Sequence, residues 1–188
     1  LQKYCGSEDV ILGTTVAGRS ASVKGIEEMV GLFINTIPLR VHAAPGTKMA
    51  QIVSMIENSI KKREEFESTP LPDIRSYSEV NGSGSLFDTL VIIENYPLDN
   101  RLLPSESSLK INAYTMFEMT HYDLSVGIMP ANDIEIKISF KQELFEKNVI
   151  ENLAGHLKKI IQTMIEDPEM ALSQLEIITD EEKDRLLY

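Results

Sequence analysis

The residue types that most often carry catalysis are sparse in this chain and do not form a recognised pattern. Three histidines occur, His42, His121 and His156. His156 falls within a helical pattern and His121 at the start of a strand pattern, so we interpret both as structural residues rather than as ligands or bases. The sequence contains no HExxH, CxxC or GxSxG motif and no glycine-rich phosphate loop ending in GK. It therefore predicts no metal site.

Two further groups with reactive side chains have simpler explanations. The single cysteine, Cys5, has no flanking signature of a nucleophile, and one cysteine cannot form an internal disulfide, which fits a reducing cytosol. The carboxylates Glu64, Glu65 and Glu67 lie in REEFES among other charges, as expected for a solvated helix end. We conclude that these residues contain no self-sufficient active site.

Composition places the chain among ordinary globular proteins. Its 188 residues, 43% of them hydrophobic, suit one domain or one lobe of a larger one. A net charge of −11 argues against a nucleic-acid partner, because phosphate binding needs clustered lysine and arginine. No apolar run reaches the roughly 18 residues of a membrane span, and no secretory leader is visible. We therefore expect a cytoplasmic protein that does not bind a membrane.

Hydrophobic periodicity predicts alternating strands and helices. Alternating or continuous apolar runs predict strands at 9–17, 32–41, 86–95, 109–118, 122–129 and 133–141. Helical spacing predicts helices at 48–66 and 143–166, while Pro70 and Pro72 are expected to stop anything helical. PAND at 130–133 suits a hairpin connection. The expected fold is an α/β two-layer sandwich with a mixed sheet and its helices on one face.

One stretch has several fixed residue types at fixed spacing. GTTVAGRSASVKGIEEMVGLFINTIPLR carries Ala17, Gly18 and Arg19, and after a spacer Val30, Gly31, Phe33, Asn35, Thr36 and Arg40. This pattern resembles the condensation domains of nonribosomal peptide synthetases, whose members carry an AGR loop followed by a motif close to (V/I)GxFxNTxxxR. The segments SLFDTLVIIENYP, YDLSVGIMPANDIEIKISFKQELFE and EDPEMALSQLEIITDEEKDRLL resemble later blocks of the same family, so the likeness covers nearly the whole chain.

The resemblance implies a particular part of a two-lobed domain. The family's HHxxxD motif lies in the N-terminal lobe and does not occur here, so the chain resembles the C-terminal lobe, half of a chloramphenicol-acetyltransferase-like fold. On this reading residues 1–175 are the lobe, and residues 176–188 begin the linker toward an adenylation domain. Expected partners are peptidyl carrier proteins, the N-terminal lobe of the same domain and the adenylation domain. No cofactor is expected on this chain, because the phosphopantetheine is carried by the carrier proteins.

The implied reaction is amide formation between two carrier-tethered thioesters in the nonribosomal synthesis of peptides such as antibiotics. Holding the tethered reactants together and handling the amine proton would provide the catalysis. The lobe would supply tunnel wall, lobe interface and carrier docking, and would be inactive alone. An epimerisation or heterocyclisation domain on the same fold is an alternative, because the motif that discriminates them lies in the other lobe. A non-catalytic carrier-docking or scaffold lobe is a third.

The resemblance also proposes site residues, for which two interpretations stay open. Gly18, Arg19, Gly31, Phe33, Asn35, Thr36 and Arg40 would lie along the substrate tunnel or lobe interface. Asn35 and Thr36 either satisfy backbone groups of a neighbouring segment or border the tunnel. Arg19 either braces a loop through carbonyl groups or contacts substrate. Gly18 and Gly31 are most simply demands of the backbone.

A segment of this lobe is expected to cross onto the N-terminal lobe as a latch. Two stretches qualify, the long irregular region 96–112 and the hairpin turn IMPANDI. We favour the hairpin, with Ile128, Met129, Pro130, Ala131 and Asn132 as the candidates, because apolar residues at an exposed tip suit a partner surface. If the assignment holds, residues 126–135 project away from the sheet, are poorly ordered or pair with a neighbouring copy. A hairpin that packs back on its own lobe with ordinary mobility would contradict it.

Overall fold

A five-stranded mixed sheet organises the structure, a computed structural model that describes residues 1–19, 23–80, 84–94, 120–130 and 133–187. The strands are β1 (Asp9–Val16), β2 (Asn35–His42), β3 (Thr89–Ile93), β4 (Leu124–Pro130) and β5 (Ile134–Phe140). Their order is β2-β1-β3-β4-β5. β1, β3 and β4 run parallel to one another, while β2 and β5 pair antiparallel at the two edges. The predicted α/β class with a mixed sheet is confirmed.

The helices of the described residues are of very unequal length. They are α1 (Gln2–Cys5), α2 (Met49–Arg63), α3 (Leu71–Ser76), α4 (Lys147–Glu166) and α5 (Asp180–Leu187), with 3₁₀ turns at Ile26–Glu28, Glu64–Phe66 and Leu172–Gln174. Val10 and Leu12 of the sheet line the same cavity as Ile52 of α2 and Leu153 of α4. The two long helices therefore share one face of the sheet, as predicted.

Element boundaries differ from the sequence prediction where local chemistry overrides periodicity. β2 begins at Asn35 rather than at residue 32, because residues 31–34 leave the sheet. α4 begins at Lys147 rather than at residue 143, because the N–H groups of Leu144 and Phe145 close a separate turn on the carbonyl of Lys141. The strand predicted at 109–118 lies outside the described residues.

The expectation that Pro70 and Pro72 stop any helix is wrong. Pro70 is the N-cap of α3, and Pro72 lies in its first turn. A proline is tolerated there because the first N–H groups of a helix have no partner within the helix. The carbonyl of Pro70 instead accepts the N–H groups of Asp73 and Ile74 at 3.0 and 3.1 Å.

The segment after α4 is bonded to the start of α2. The N–H groups of Met49 and Ala50 donate to the carbonyls of Met170 and Pro168 at 3.0 and 2.8 Å. These donors belong to the first turn of α2, which would otherwise leave them unpaired. The chain therefore remains part of the lobe beyond the end of α4.

Apolar side chains from strands, helices and connecting segments make up the core. The buried members are Val16, Ile26, Ile37, Ala43, Met49, Phe87, Leu90, Leu124, Ile150 and Leu175. Within the described ranges, no helix is long and apolar enough to cross a membrane, and no cluster of side chains is suited to hold a metal ion.

Candidate functional site

The predicted site residues lie mainly around a cleft at the carboxyl ends of the parallel strands β1 and β3. The cleft has a volume of about 600 Å³. Thr15 and Val16 line it from β1, and Ile92 and Ile93 from β3. The opposite wall is the segment from Gly31 to Ile34 that precedes β2, together with Ala17 and Arg19. In an open sheet with parallel strands, this edge is where ligand crevices usually form.

A close backbone approach joins the two loops of the cleft. Gly18 has φ of 63°, and a Cβ built on it would lie 1.8 Å from the carbonyl oxygen of Phe33. Gly31 also lies against Phe33, since its Cβ would come within 3.0 Å of the ring. Gly18 therefore serves the close backbone approach proposed for it, whereas Gly31 leaves room for the Phe33 side chain.

Arg19 braces these same loops. Its guanidinium donates to the carbonyls of Ile26 and Met29, the latter at 3.1 Å. The guanidinium carbon also lies 4.3 Å from the centre of the Phe33 ring. Arginine suits this position because its planar guanidinium donates hydrogen bonds in its own plane and stacks on the ring with its face. Lysine can do neither in this geometry. These contacts favour the interpretation of Arg19 as a loop brace.

Asn35 satisfies backbone groups of a neighbouring segment. Its Nδ2 donates to the carbonyls of Glu67 and Thr69, both at 2.8 Å, and its Oδ1 accepts the N–H of Thr36 at 2.9 Å. All these partners belong to the chain itself, so this amide fixes the turn before α3 against the start of β2. The geometry favours the structural interpretation of Asn35.

Thr36 belongs to an aromatic cluster on the sheet. The Tyr122 hydroxyl bonds to the side chain of Thr36, and the Tyr122 ring stacks on Phe87 with centroids 5.5 Å apart. Burial raises the pKa of Tyr122 above its ordinary value, and the bond to Thr36 partly opposes that rise. A Cβ on Gly13 would lie 2.1 Å from Phe87, so the ring lies directly on β1.

Arg40 lies apart from the other six residues. It is five residues beyond Asn35 on β2, which is about 17 Å along a strand. Its guanidinium forms a bidentate pair with Asp9, with Nη2 2.6 Å from Oδ2. The hydrogen bond from Arg40 lowers the pKa of Asp9. Arg40 therefore sits at the opposite end of the sheet from the cleft and stabilises the pairing of β1 with β2.

An exposed apolar ridge borders the cleft. Val30 and Leu32 are fully or almost fully exposed, at 102% and 96%, and Met29, Ile34 and Ile93 are also exposed. Ordinary monomer surfaces rarely gather so many large apolar side chains without a partner. We call residues 29–34 the apolar ridge.

The paired strands β4 and β5 extend past the end of β3. β3 pairs with β4 as far as Ile93 and Ile128, whereas β4 and β5 remain paired to Pro130 and Ile134. Ile134 is 69% exposed. The tip residues Ala131 and Asn132, and the whole alternative latch region 96–112, lie outside the described residues. The latch assignment stays a prediction.

Sequence reasoning missed one polar cluster, which is far from the cleft. His156 of α4 is buried, with its Nδ1 2.5 Å from the Tyr4 hydroxyl and its Nε2 2.6 Å from Oε2 of Glu182. Its assignment as a plain helix-face residue overlooked these partners. The sequence TDEE at 179–182 contained a usable signal, since Thr followed three residues later by Glu is a capping box.

The chemistry available in the cleft is binding and positioning. Among the described residues that line it, Arg19 is the one charged side chain, and its donors are directed at carbonyls. A general base or nucleophile requires a titratable or activated group at the reacting atoms. The described lining offers none.

Comparison with known proteins gives a consistent result. A family model described as "Condensation domain" matches residues 1–187. The chain is 36% identical over 191 residues to tyrocidine synthase 2 of Brevibacillus parabrevis, and 31% identical over 191 residues to gramicidin S synthase 2 of Brevibacillus brevis. Both matches cover all of this chain. They cover only 5% of the tyrocidine synthase and 4% of the gramicidin S synthase. The chain thus spans less than a tenth of the length of these curated relatives.

Solved structures match the fold. The structure of holo-AB3403, a four-domain nonribosomal peptide synthetase bound to AMP and glycine, superposes with a TM-score of 0.78 at 15% identity, covering 97% of this chain and 15% of that one. The X-domain from teicoplanin biosynthesis gives 0.76 at 18% identity, covering 94% and 41%. At these identities the likeness establishes the fold.

Proposed function

Because this chain belongs to the condensation-domain family, we propose that it forms the C-terminal lobe of a domain that joins carrier-tethered aminoacyl or peptidyl thioesters by a peptide bond. The observation that carries this proposal is the cleft with its apolar ridge. It offers a braced wall and an exposed contact surface, and its described lining contains no acid–base group. Such a surface suits half of a tunnel whose reactive groups come from a second lobe.

The proposed division of labour follows from the positions of the residues. Gly18, Arg19, Gly31 and Phe33 hold the two loops of the tunnel wall in one conformation. Rigid walls matter because two tethered reactants gain most of their rate from being held in a reactive orientation. Asn35 and Thr36 support that wall from behind, and Arg40 stabilises the sheet at its far end.

The proposed partners are the N-terminal lobe, which would pack on the ridge, and peptidyl carrier proteins, which would deliver substrates on phosphopantetheine. Residues 1–175 would be the lobe and residues 176–188 the start of a linker toward an adenylation domain, in the cytoplasm. The hairpin around Ile128, Met129 and Pro130 would be the latch. The proposed partners draw support from the condensation-domain match and from relatives named tyrocidine synthase 2 and gramicidin S synthase 2.

A direct test reconstitutes the two-lobed domain by joining this chain to an N-terminal lobe that carries HHxxxD. Donor and acceptor carrier proteins are loaded with aminoacyl groups, and intact-protein mass spectrometry follows the gain of one residue on the acceptor carrier. We expect product above the rate without protein. If the folded two-lobed domain forms none, the scaffold alternative replaces the catalytic one. An epimerised or heterocyclised product would instead assign it to one of the related domain types.

A matched pair of substitutions tests the ridge itself. Leu32→Asp places a charge on the surface proposed to meet the other lobe, and we expect turnover of the two-lobed domain to fall at least about tenfold. The thermal stability of this chain by itself should not change, because the side chain is exposed there. Leu187→Asp changes a leucine that is 74% exposed on α5, and we expect normal turnover. Equal turnover in the two variants would remove the ridge from the proposed lobe interface.

A further inference from the structure

The buried imidazole of His156 lies between the two ends of the chain. Tyr4 belongs to α1 and Glu182 to α5, and both contact the ring of His156 on α4, at 2.5 Å and 2.6 Å. His156 is 7% exposed. α1 and α5 are separated by nearly the whole sequence, yet one side chain bonds to both.

The two ring nitrogens of His156 bond to different partners. The pKa of Glu182 is lowered, chiefly by the N–H of Thr179, so the carboxylate is ionised near neutral pH and only accepts hydrogen bonds. Nε2 of His156 must therefore carry a proton. Nδ1 of the same ring forms the second hydrogen bond, with the Tyr4 hydroxyl. Loss of the bond to Tyr4 therefore changes the hydrogen bond that His156 forms with Glu182, and loss of the bond to Glu182 changes the one it forms with Tyr4.

Glu182 also closes the first turn of α5. Its Oε2 accepts the N–H of Thr179 at 2.9 Å and the Thr179 hydroxyl at 3.0 Å, while the Glu182 N–H donates back to that hydroxyl oxygen at 3.3 Å. This is a capping box, which stabilises the start of a helix. The same carboxylate thus both begins α5 and bonds to His156. The formation of α5 and the hydrogen bond between Glu182 and the buried His156 ring therefore depend on each other.

We propose that Tyr4, His156 and Glu182 act as a clasp that couples the docking of α1 to the docking of α5. α1 has a second attachment that does not involve the ring, since Gln2 Nε2 donates to the carbonyls of Glu8 and Ala43. α5 likewise has a surface pair between Lys183 and Glu176 at 2.7 Å. These two attachments offer controls that loosen one helix without acting through His156.

The clasp has a functional consequence that rests on the proposed function. If the residues before α1 lead to the N-terminal lobe and those after α5 lead to an adenylation domain, the clasp links the lobe junction to the downstream linker. A movement that lifts α1 would weaken the hold on α5, and the reverse would also hold because coupling between two sites is reciprocal.

Hydrogen–deuterium exchange measured by mass spectrometry tests the coupling on the chain itself, using peptides that cover residues 1–8 and 176–187. Tyr4→Phe removes one hydroxyl from α1, and we expect exchange in α5 to rise by about threefold to tenfold, the range for losing one hydrogen bond. Glu182→Gln should produce the converse rise in α1. Gln2→Ala should speed exchange mainly in α1, with a smaller rise in α5 than Tyr4→Phe produces, and Lys183→Met should speed it mainly in α5, with a smaller rise in α1 than Glu182→Gln produces.

The coupling is overturned if Tyr4→Phe changes only α1, or if Gln2→Ala loosens α5 as much as Tyr4→Phe does. The double variant Tyr4→Phe/Glu182→Gln adds a second criterion, because uncoupled helices would give additive effects on exchange and a clasp would not. Circular dichroism confirms that each variant retains its helices. Exchange does not depend on peptide-bond formation, so its outcome leaves the proposed function to be judged by the carrier assay.

Discussion

The guanidinium carbon of Arg19 lies 4.3 Å from the centre of the Phe33 ring, on the wall of the cleft. The same guanidinium donates to two carbonyls of the 26–29 segment, so one side chain ties the AGR loop to the loop before β2. Arg19 and Phe33, two residues of the sequence motif, therefore contact each other within this chain.

Replacing Arg19 should lower the stability of the chain, and lysine at this position should not restore it. We expect Arg19→Met and Arg19→Lys each to lower the free energy of unfolding by about 1–2 kcal/mol, because neither side chain reproduces the stacked, forked geometry. Urea denaturation followed by circular dichroism measures the change. Full stability of the lysine variant would show that charge alone suffices at this position.

Gly18 should tolerate no side chain. In Gly18→Ala the new methyl group would meet the carbonyl of Phe33, at a positive φ that alanine disfavours, and we expect a loss of at least about 2 kcal/mol. Gly46→Ala is the control, since a Cβ there has no atom within 4 Å and the position shows no positive φ. The measurement is the thermal unfolding midpoint of both variants. Similar midpoints would contradict the close approach of Gly18 to the Phe33 carbonyl.

Asn35→Asp should destabilise the chain in a pH-dependent way. The substitution turns the atom that donates to Glu67 and Thr69 into a carboxylate oxygen facing two carbonyls, at a cost of about 2–4 kcal/mol near neutral pH. The folded state raises the pKa of such a carboxyl, so it binds protons more tightly than the unfolded state, and the deficit relative to the natural chain should shrink as pH falls. Asn58→Asp, an exposed position on α2, should show neither effect.

The clasp should weaken in acid. Because the folded pKa of Glu182 lies below its ordinary value of 4.5, its contribution is fully present above that value and is lost as pH falls through the folded pKa. The amide signal of Thr179, whose N–H donates to Glu182, should shift in NMR spectra recorded from pH 6 down to pH 3. In Glu182→Gln that titration should disappear, and an unchanged titration would assign it to another group.

The isolated chain should form no peptide bond between two loaded carriers. The HHxxxD motif is absent from its sequence, and the described cleft lining offers no group to handle the amine proton. Mass spectrometry of the acceptor carrier should show no gain of an aminoacyl residue above the rate without protein. Product from the chain alone would mean that positioning by this lobe is sufficient.

Local patterns in the sequence were enough to predict the class of fold and most of its elements. β-Branched enrichment in 9–17 and helical spacing in 48–66 and 143–166 predict elements that the structure contains, because both are local properties of the sequence. The AGR and NTxxxR residues likewise indicated the family, since fixed types at fixed spacing reflect shared packing demands. Proline statistics failed at α3 because a helix start accepts what a helix interior rejects.

The contacts of those residues follow instead from how distant segments come together. Asn35 and Arg40 are close in sequence, yet the extended β2 strand carries them to opposite ends of the sheet, one on backbone carbonyls and the other on Asp9. In the sequence His156 is one more residue of a helical stripe, and its role depends on Tyr4 and Glu182 arriving from the two ends of the chain. The role of a buried polar group is set by the partners that satisfy it, and no local pattern specifies which distant segment will supply them.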